Sequence, residues 1–258
     1  LKAYWRTCGY RHGNFGDELT PFILQEVLGV VVERAHTMEE ADLISVGSIL
    51  SEIPVSYSQF VWGTGAMFEE SAISLSDAKV RAVRGLLTRC RIPQATPSAL
   101  GDPALLANLI PTSWDQCVKY ELSILPHYVD MNDDELCKFL RRNPDVHVID
   151  PCQPVLQVLR DIQSSQAVLS SSLHGLIVAD AYGVRNGWTK LSDKLSGGTF
   201  KFHDYSSLYQ DEVPTPIVVA EDSSTESLVV QTRTRERAAV SSIRDGLLAA
   251  FPAELRDL

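Results

Sequence analysis

The chain has 258 residues, 45% of them hydrophobic, enough for one large α/β core or two of roughly 120 residues each. A net charge of −10 argues against a nucleic-acid binder, which needs a basic stripe along the phosphate backbone, so any anionic ligand must be caught locally. Five widely spaced cysteines without a C-x-x-C pair exclude a zinc or disulfide framework and fit a reducing compartment.

The pattern predicts a first strand over 2–8, a glycine-bearing turn over 13–19, and an apolar helix through Phe22, Ile23, Leu24, Val27 and Leu28 that stops at Gly29. Asp17 can cap that helix, and the spacing is not the G-x-G-x-x-G dinucleotide fingerprint. Further strands are expected at 30–32, at 43–46 ending in Gly47-Ser48, and at 60–62 ending in Gly63-Thr64-Gly65. Small residues at successive strand ends suit the crevice at the carboxyl edge of an open parallel sheet. A fifth strand over 79–83 brings Arg84 to the same edge, where a guanidinium can grip a carboxylate or phosphate in two places. Gly101-Asp102-Pro103 closes this half, and 110–116 reads as a linker.

A second strand–helix series starts at Tyr120, with a strand running into Pro126-His127, a helix over 133–142, a strand over 146–149 and a helix through Val155, Leu159 and Ile162. Then Val168-Leu169, the turn Ser170-Ser171-Ser172 and the apolar run from Leu173 put His174 at a helix N-terminus, where unpaired N–H groups and the helix dipole favour an anion. A histidine merely capping its own helix fits that stretch equally well. Strands are expected at 188–191 and 217–219, a flexible loop over 197–205, and one amphipathic helix over 226–251. The fold class expected is α/β: two doubly wound Rossmann-like domains facing a cleft, 1–116 and 117–258. No run of 18 apolar residues and no signal-peptide pattern occurs, which predicts a soluble, cytoplasmic chain. Because the chain opens on Leu1, an upstream segment in contact with the inner face of the plasma membrane stays open.

Laid out in order, eight short motifs resemble the polysaccharide pyruvyl transferase family, in particular the short ketal pyruvate transferases of bacterial exopolysaccharide synthesis. They are Asn14-Phe15-Gly16-Asp17-Glu18-Leu19, Val46-Gly47-Ser48-Ile49-Leu50, Val61-Trp62-Gly63-Thr64-Gly65, Arg81-Ala82-Val83-Arg84-Gly85, Gly101-Asp102-Pro103, Leu125-Pro126-His127, Ser172-Leu173-His174-Gly175 and Phe200-Lys201-Phe202-His203-Asp204-Tyr205. The resemblance implies a glycosyltransferase-B-like fold and phosphoenolpyruvate as donor and co-substrate, with no further cofactor and no metal. It also implies an oligosaccharide or lipid-linked saccharide acceptor that receives pyruvate as a cyclic ketal.

By that resemblance the donor meets Arg84, Ser172, Leu173 and His174. Relatives often carry arginine where this chain has Ser172, so Lys201 is expected to supply part of the grip. His174 is expected to move protons and Asp17 to act as base on the acceptor hydroxyl, although Asp17 as a plain cap is as good a reading. Asn14, Gly16, Asp17, Gly47, Ser48, Gly63, Thr64, Gly65 and His127 form the expected acceptor side. Since Arg84 and His174 belong to different halves, one donor touching both would draw the halves together. The competing reading is a nucleotide-sugar-dependent glycosyltransferase, which would want an acidic pair for ribose or metal; Glu221-Asp222 is the only late candidate.

Overall fold

The computed structural model describes residues 1–7, 14–70, 73–75, 77–114, 117–195, 197–209 and 213–256. Two all-parallel sheets organise them. The first is built from β1 (Lys2–Tyr4), β2 (Glu33–Arg34), β3 (Leu43–Ile44), β4 (Phe60–Trp62), β5 (Lys79–Val83) and β6 (Ala99–Leu100), in the order β2-β1-β3-β4-β5-β6. The second uses β7 (Tyr120–Leu125), β8 (His147–Val148), β9 (Ser165–Ser170) and β10 (Arg185–Trp188), in the order β10-β9-β7-β8. Parallel strands need crossovers, and helices supply most of them: α1 (Phe15–Phe22), α2 (Leu86–Cys90), α3 (Asp134–Arg142), α4 (Val155–Gln163) and α5 (Leu173–Tyr182). Three more follow, α6 (Phe200–Ser206), α7 (Thr225–Gln231) and α8 (Arg237–Ala250).

The second strand does not form at Val30–Val32. Val30 instead turns back, its N–H donating to the Leu24 carbonyl, and pairing with β1 starts at Glu33. The helix before it is α1 for a little over two turns and then widens into a π-type segment, Ile23–Val27, just after Pro21. A proline has no N–H to give to an i−4 carbonyl, and a shift of register is one way to absorb that. The strand expected at 188–191 lies at 185–188, and 217–219 contributes only a bridge from Ile217 to Thr189. The segment 200–206, within what was expected as a loop over 197–205, is helix α6, six of whose seven residues are buried.

The expected single C-terminal helix is two. A break at 232–236 lets α8 leave the second sheet and cross to the first half, where Leu247 and Ile243 pack over Gly101 and the Leu247 carbonyl accepts from Trp62 Nε1 at 3.0 Å. The boundary at 116 therefore does not hold for α8 in space. One continuous apolar cluster runs through both halves, from Phe15, Leu19 and Trp62 to Leu125, Val168 and Ile177. Among the described residues no helix is long and apolar enough to cross a membrane.

Candidate functional site

The carboxyl edges of the two sheets meet around a cavity of about 320 Å³. The first half contributes Asn14 and Asp17 from the start of α1 and Ser48 from the turn after β3. From the second half come His127 after β7, Ser172, Leu173 and His174 at the start of α5, and Lys201 on α6. Arg6, Met67 and Lys194 stand at its edge. Two helix N-termini, one from each half, thus point at one space.

The approach between them is close because Gly16 has no side chain. A Cβ there would lie 2.1 Å from His174 Nδ1, so the imidazole rests directly on the first turn of α1. Asn14 is the residue before that helix and donates from Nδ2 to Asp17 Oδ2 at 3.2 Å. Asp17 is not the cap; it sits inside the first turn, and burial raises its carboxyl above the ordinary range against the opposing pull of His174, Asn14, Arg6 and Lys201.

Across the cavity, burial and the nearby Arg84 guanidinium lower the Lys201 ammonium to about 8, although Asp17 and Asp130 pull the other way. His127 is lowered to about 3 by burial, Lys201 and His174, which makes it a neutral ring at physiological pH. It also works as a local cap, its Nδ1 accepting from the Val129 N–H at 3.4 Å. Behind it, Ser171 Oγ accepts from the His127 N–H at 2.8 Å and donates to buried Asp130 Oδ2 at 2.7 Å, which fixes the two strand ends to each other.

Arg84 is placed differently from expectation. It is fully buried, and its Nε donates to Asp204 Oδ2 at 2.8 Å while its terminal nitrogens donate to Ser48 Oγ and the Ala66 carbonyl. Asp204 is satisfied in turn by the Thr88 N–H and hydroxyl, each at 2.7 Å. The guanidinium lies behind the cavity wall, holding Ser48 and joining β5 to α6.

Gly63, Thr64 and Gly65 do not line the cavity either. Pro103 occupies the place a side chain at Gly63 would need, and Arg84 occupies that of Gly65. Thr64 is buried, donating to the Gly47 carbonyl at 2.8 Å. Gly47 has φ +123 and a Cβ there would stand 3.7 Å from Asp17 Oδ1, so it borders Asp17. Glu221, proposed as an acidic partner for a nucleotide, is a surface residue paired with Arg142 at 2.7 Å.

Sequence reasoning left Asp102 without a role. Its carboxylate is completely buried and Oδ2 stands 3.7 Å from His174 Nε2. Gly101-Asp102-Pro103 carries an aspartate in a favoured capping position before a proline, and that role hid the second oxygen, which faces His174.

Comparison with known proteins gives one family: the model for polysaccharide pyruvyl transferase matches residues 40–186. That span contains Ser48, Arg84, Asp102, His127 and Ser172–His174, and leaves Asp17 and Lys201 outside. The chain is 29% identical over 208 residues to the succinoglycan biosynthesis protein ExoV of Rhizobium meliloti, covering 79% of this chain and 63% of that protein. It is 26% identical over 206 residues to an uncharacterized protein, L143, of Acanthamoeba polyphaga mimivirus, covering 76% of this chain and 71% of that one. A solved alpha-glucosyltransferase in complex with UDP superposes with a TM-score of 0.35 at 10% identity, over 96% of this chain and 94% of that chain, a likeness too weak to carry an argument.

Proposed function

The chain belongs to the polysaccharide pyruvyl transferase family, and from that premise we propose that it transfers pyruvate from phosphoenolpyruvate to a saccharide of a bacterial exopolysaccharide repeat unit. The product is a cyclic pyruvate ketal, with phosphate released. The observation that carries this reading is the cavity itself. It sets His174 and Lys201 beside the N-terminus of α5, with no acidic residue in that helix's first turn, and puts the Asp17 carboxyl opposite. A compact anion with phosphate and carboxylate groups fits such a helix start with one or two cations, even in an acidic protein.

In the proposed reaction, imidazolium Nδ1 of His174 gives its proton to the methylene carbon of the donor, leaving C2 as an electron-poor centre. One sugar hydroxyl adds to C2 and loses its proton to Asp17, whose raised carboxyl is suited to holding it. The C2–O bond to phosphate then breaks, and the second hydroxyl closes the ketal on C2 while its proton returns His174 to the starting state. Phosphate leaves with the proton held by Asp17. Lys201 balances the donor's charge, and neutral His127 offers the acceptor a ring that does not repel a second cation.

The two parallel sheets facing one cavity support a glycosyltransferase-B-like arrangement of Rossmann-like halves. The reaction is placed in the cytoplasm, beside a membrane that carries the acceptor. The test is incubation with phosphoenolpyruvate and a panel of free and lipid-linked oligosaccharides. Acceptor-dependent phosphate release with a pyruvate mass gain on the sugar is expected; activity with nucleotide sugars alone would overturn the reading.

A further inference from the structure

The geometry points to Asp102 as the positioning residue that sets which nitrogen of His174 carries the fixed proton. Asp102 is the residue before the 3₁₀ turn Pro103–Leu109, and its Oδ1 accepts from the Ala104 N–H at 3.0 Å. That explains one oxygen. The other, Oδ2, is buried without a hydrogen-bond partner, and so is His174 Nε2, 3.7 Å away. Two buried polar atoms of opposite kind, each unsatisfied and facing the other, are costly alone and complementary together. At 3.7 Å they are just beyond hydrogen-bond length, and a shift of well under 1 Å joins them. With Nε2–H donating to Asp102, the other ring nitrogen, Nδ1, is the one left without that proton, on the side of the ring that meets Gly16 and the start of α1, where Asn14 and Asp17 line the cavity.

Asp102 is held rigidly enough for this. Gly101, at φ +142, is covered by Ile243 and Leu247 of α8, and Pro103 fills the space left by Gly63, whose φ is +90. The glycine that sequence reasoning assigned to the acceptor therefore serves the carboxylate behind the histidine. The other ionisable groups that face His174 are Asp17 on α1 and His127 after β7. Among the described residues neither hydrogen-bonds Nε2, and the Asp102 carboxylate is the group that faces it.

Asp102→Asn separates this role from helix capping. Asparagine caps as well as aspartate, so its oxygen keeps the Ala104 N–H and its NH₂ must take the place of Oδ2. A donor then faces Nε2, and the ring has to move its proton to Nδ1, the cavity side. The same misplacement prevents His174 from becoming a cation that can give up the Nδ1 proton, so turnover is expected to fall roughly 10²–10⁴-fold.

That loss rests on the pyruvyl-transfer reading; the tautomer does not. Nitrogen-15 spectra of the histidine-labelled full chain, with His174 assigned through His174→Gln, are expected to show Nε2–H in the wild type and Nδ1–H in Asp102→Asn. Asp102→Ser, which keeps a capping oxygen and drops the carboxylate, is expected to lose the exchange-protected Nε2 proton. An Nδ1–H tautomer in the wild type, or an unchanged tautomer in Asp102→Asn, would overturn the assignment whether or not any saccharide is pyruvylated. Wild type inactive on every acceptor, with the expected spectra, would leave the dyad standing and remove the pyruvyl reading.

Discussion

His174 and Lys201 face the same cavity, and each shows what a buried ionisable group costs and what it is for. His174→Ala is expected to lower turnover by roughly 10²–10⁴ with a circular dichroism spectrum near wild type, and to lower the thermal midpoint because the buried Asp102 Oδ2 loses the nitrogen it faces. Retained turnover would return His174 to the role of a helix-end histidine. Lys201 is lowered to about 8 by burial and Arg84, so below that pH the folded protein holds a charge that the unfolded chain would hold more easily. The sign follows: the unfolded state binds the extra proton between about 8 and the ordinary lysine value, and stability rises with pH across that window. Lys201→Met should therefore raise stability at neutral pH by at most ~3 kcal/mol, and the gain should fade above pH 8. Urea titrations at pH 7 and pH 10 with a donor-binding measurement check it: a variant that is neither more stable nor weaker in binding phosphoenolpyruvate would show that Lys201 is not a strained cation of the site. The helix starts that carry Asp17 and His174 could be read from the pattern, although a capping role fitted each residue as well. The pairing of Asp102 could not, because its partner is 72 residues away in sequence and only folding brings the two to 3.7 Å.

Among the elements, α1 and α5 matter most, since their N-termini meet through Gly16. Alanine is ordinarily the better helix residue, by about 1 kcal/mol over glycine. Here its methyl group would arrive 2.1 Å from His174 Nδ1, and either the ring or the first turn of α1 has to move. Gly16→Ala is thus expected to reduce turnover about 10²-fold, the scale of a displacement near 1 Å at a reacting group, and to alter the His174 resonances without unfolding the protein. Wild-type turnover in this variant would mean that the closeness of the two helices is incidental. The glycine was visible in the sequence as part of a turn, yet its purpose was not, because a turn and a close approach ask for the same residue. The same ambiguity misread 197–205: Gly197-Gly198 announces a loop, and the helix begins two residues later, carried by the burial of Phe200, Phe202 and Tyr205 in the core. Of the two-residue strands flanking β1, β3 lies inside the expected 43–46, whereas β2 was placed too early, because Glu33–Arg34 is defined by pairing with β1 and not by its own composition.

At the scale of the whole molecule, the expectation was that a donor gripped by Arg84 and His174 would pull two domains together. Strands alternating with helices in two blocks do give two parallel sheets, but the chain also sends α8 back to the first half and threads one apolar cluster through both. Halves joined by a large apolar interface do not swing as freely as halves joined by a small polar one. Arg84 adds to the joint, since its ion pair with Asp204 is dry and both groups have further hydrogen bonds that satisfy them. Leu86 N–H donates to Ser207 Oγ beside it, and Phe15 N–H to the Pro151 carbonyl on the far side. Small-angle scattering should therefore give the same profile with and without phosphoenolpyruvate. Arg84→Met, which leaves Asp204 buried and unpaired, should cost about 3–5 kcal/mol in urea unfolding, and Arg84→Lys less, because lysine keeps the charge and loses the fork that reaches Ser48 and Ala66 together. Compaction of the wild type on adding donor, with little loss of stability in Arg84→Met, would show that the halves are hinged and that the guanidinium waits for a ligand. The profile expected instead is that of a cavity already formed, in which exclusion of water does not wait for closure of one half upon the other.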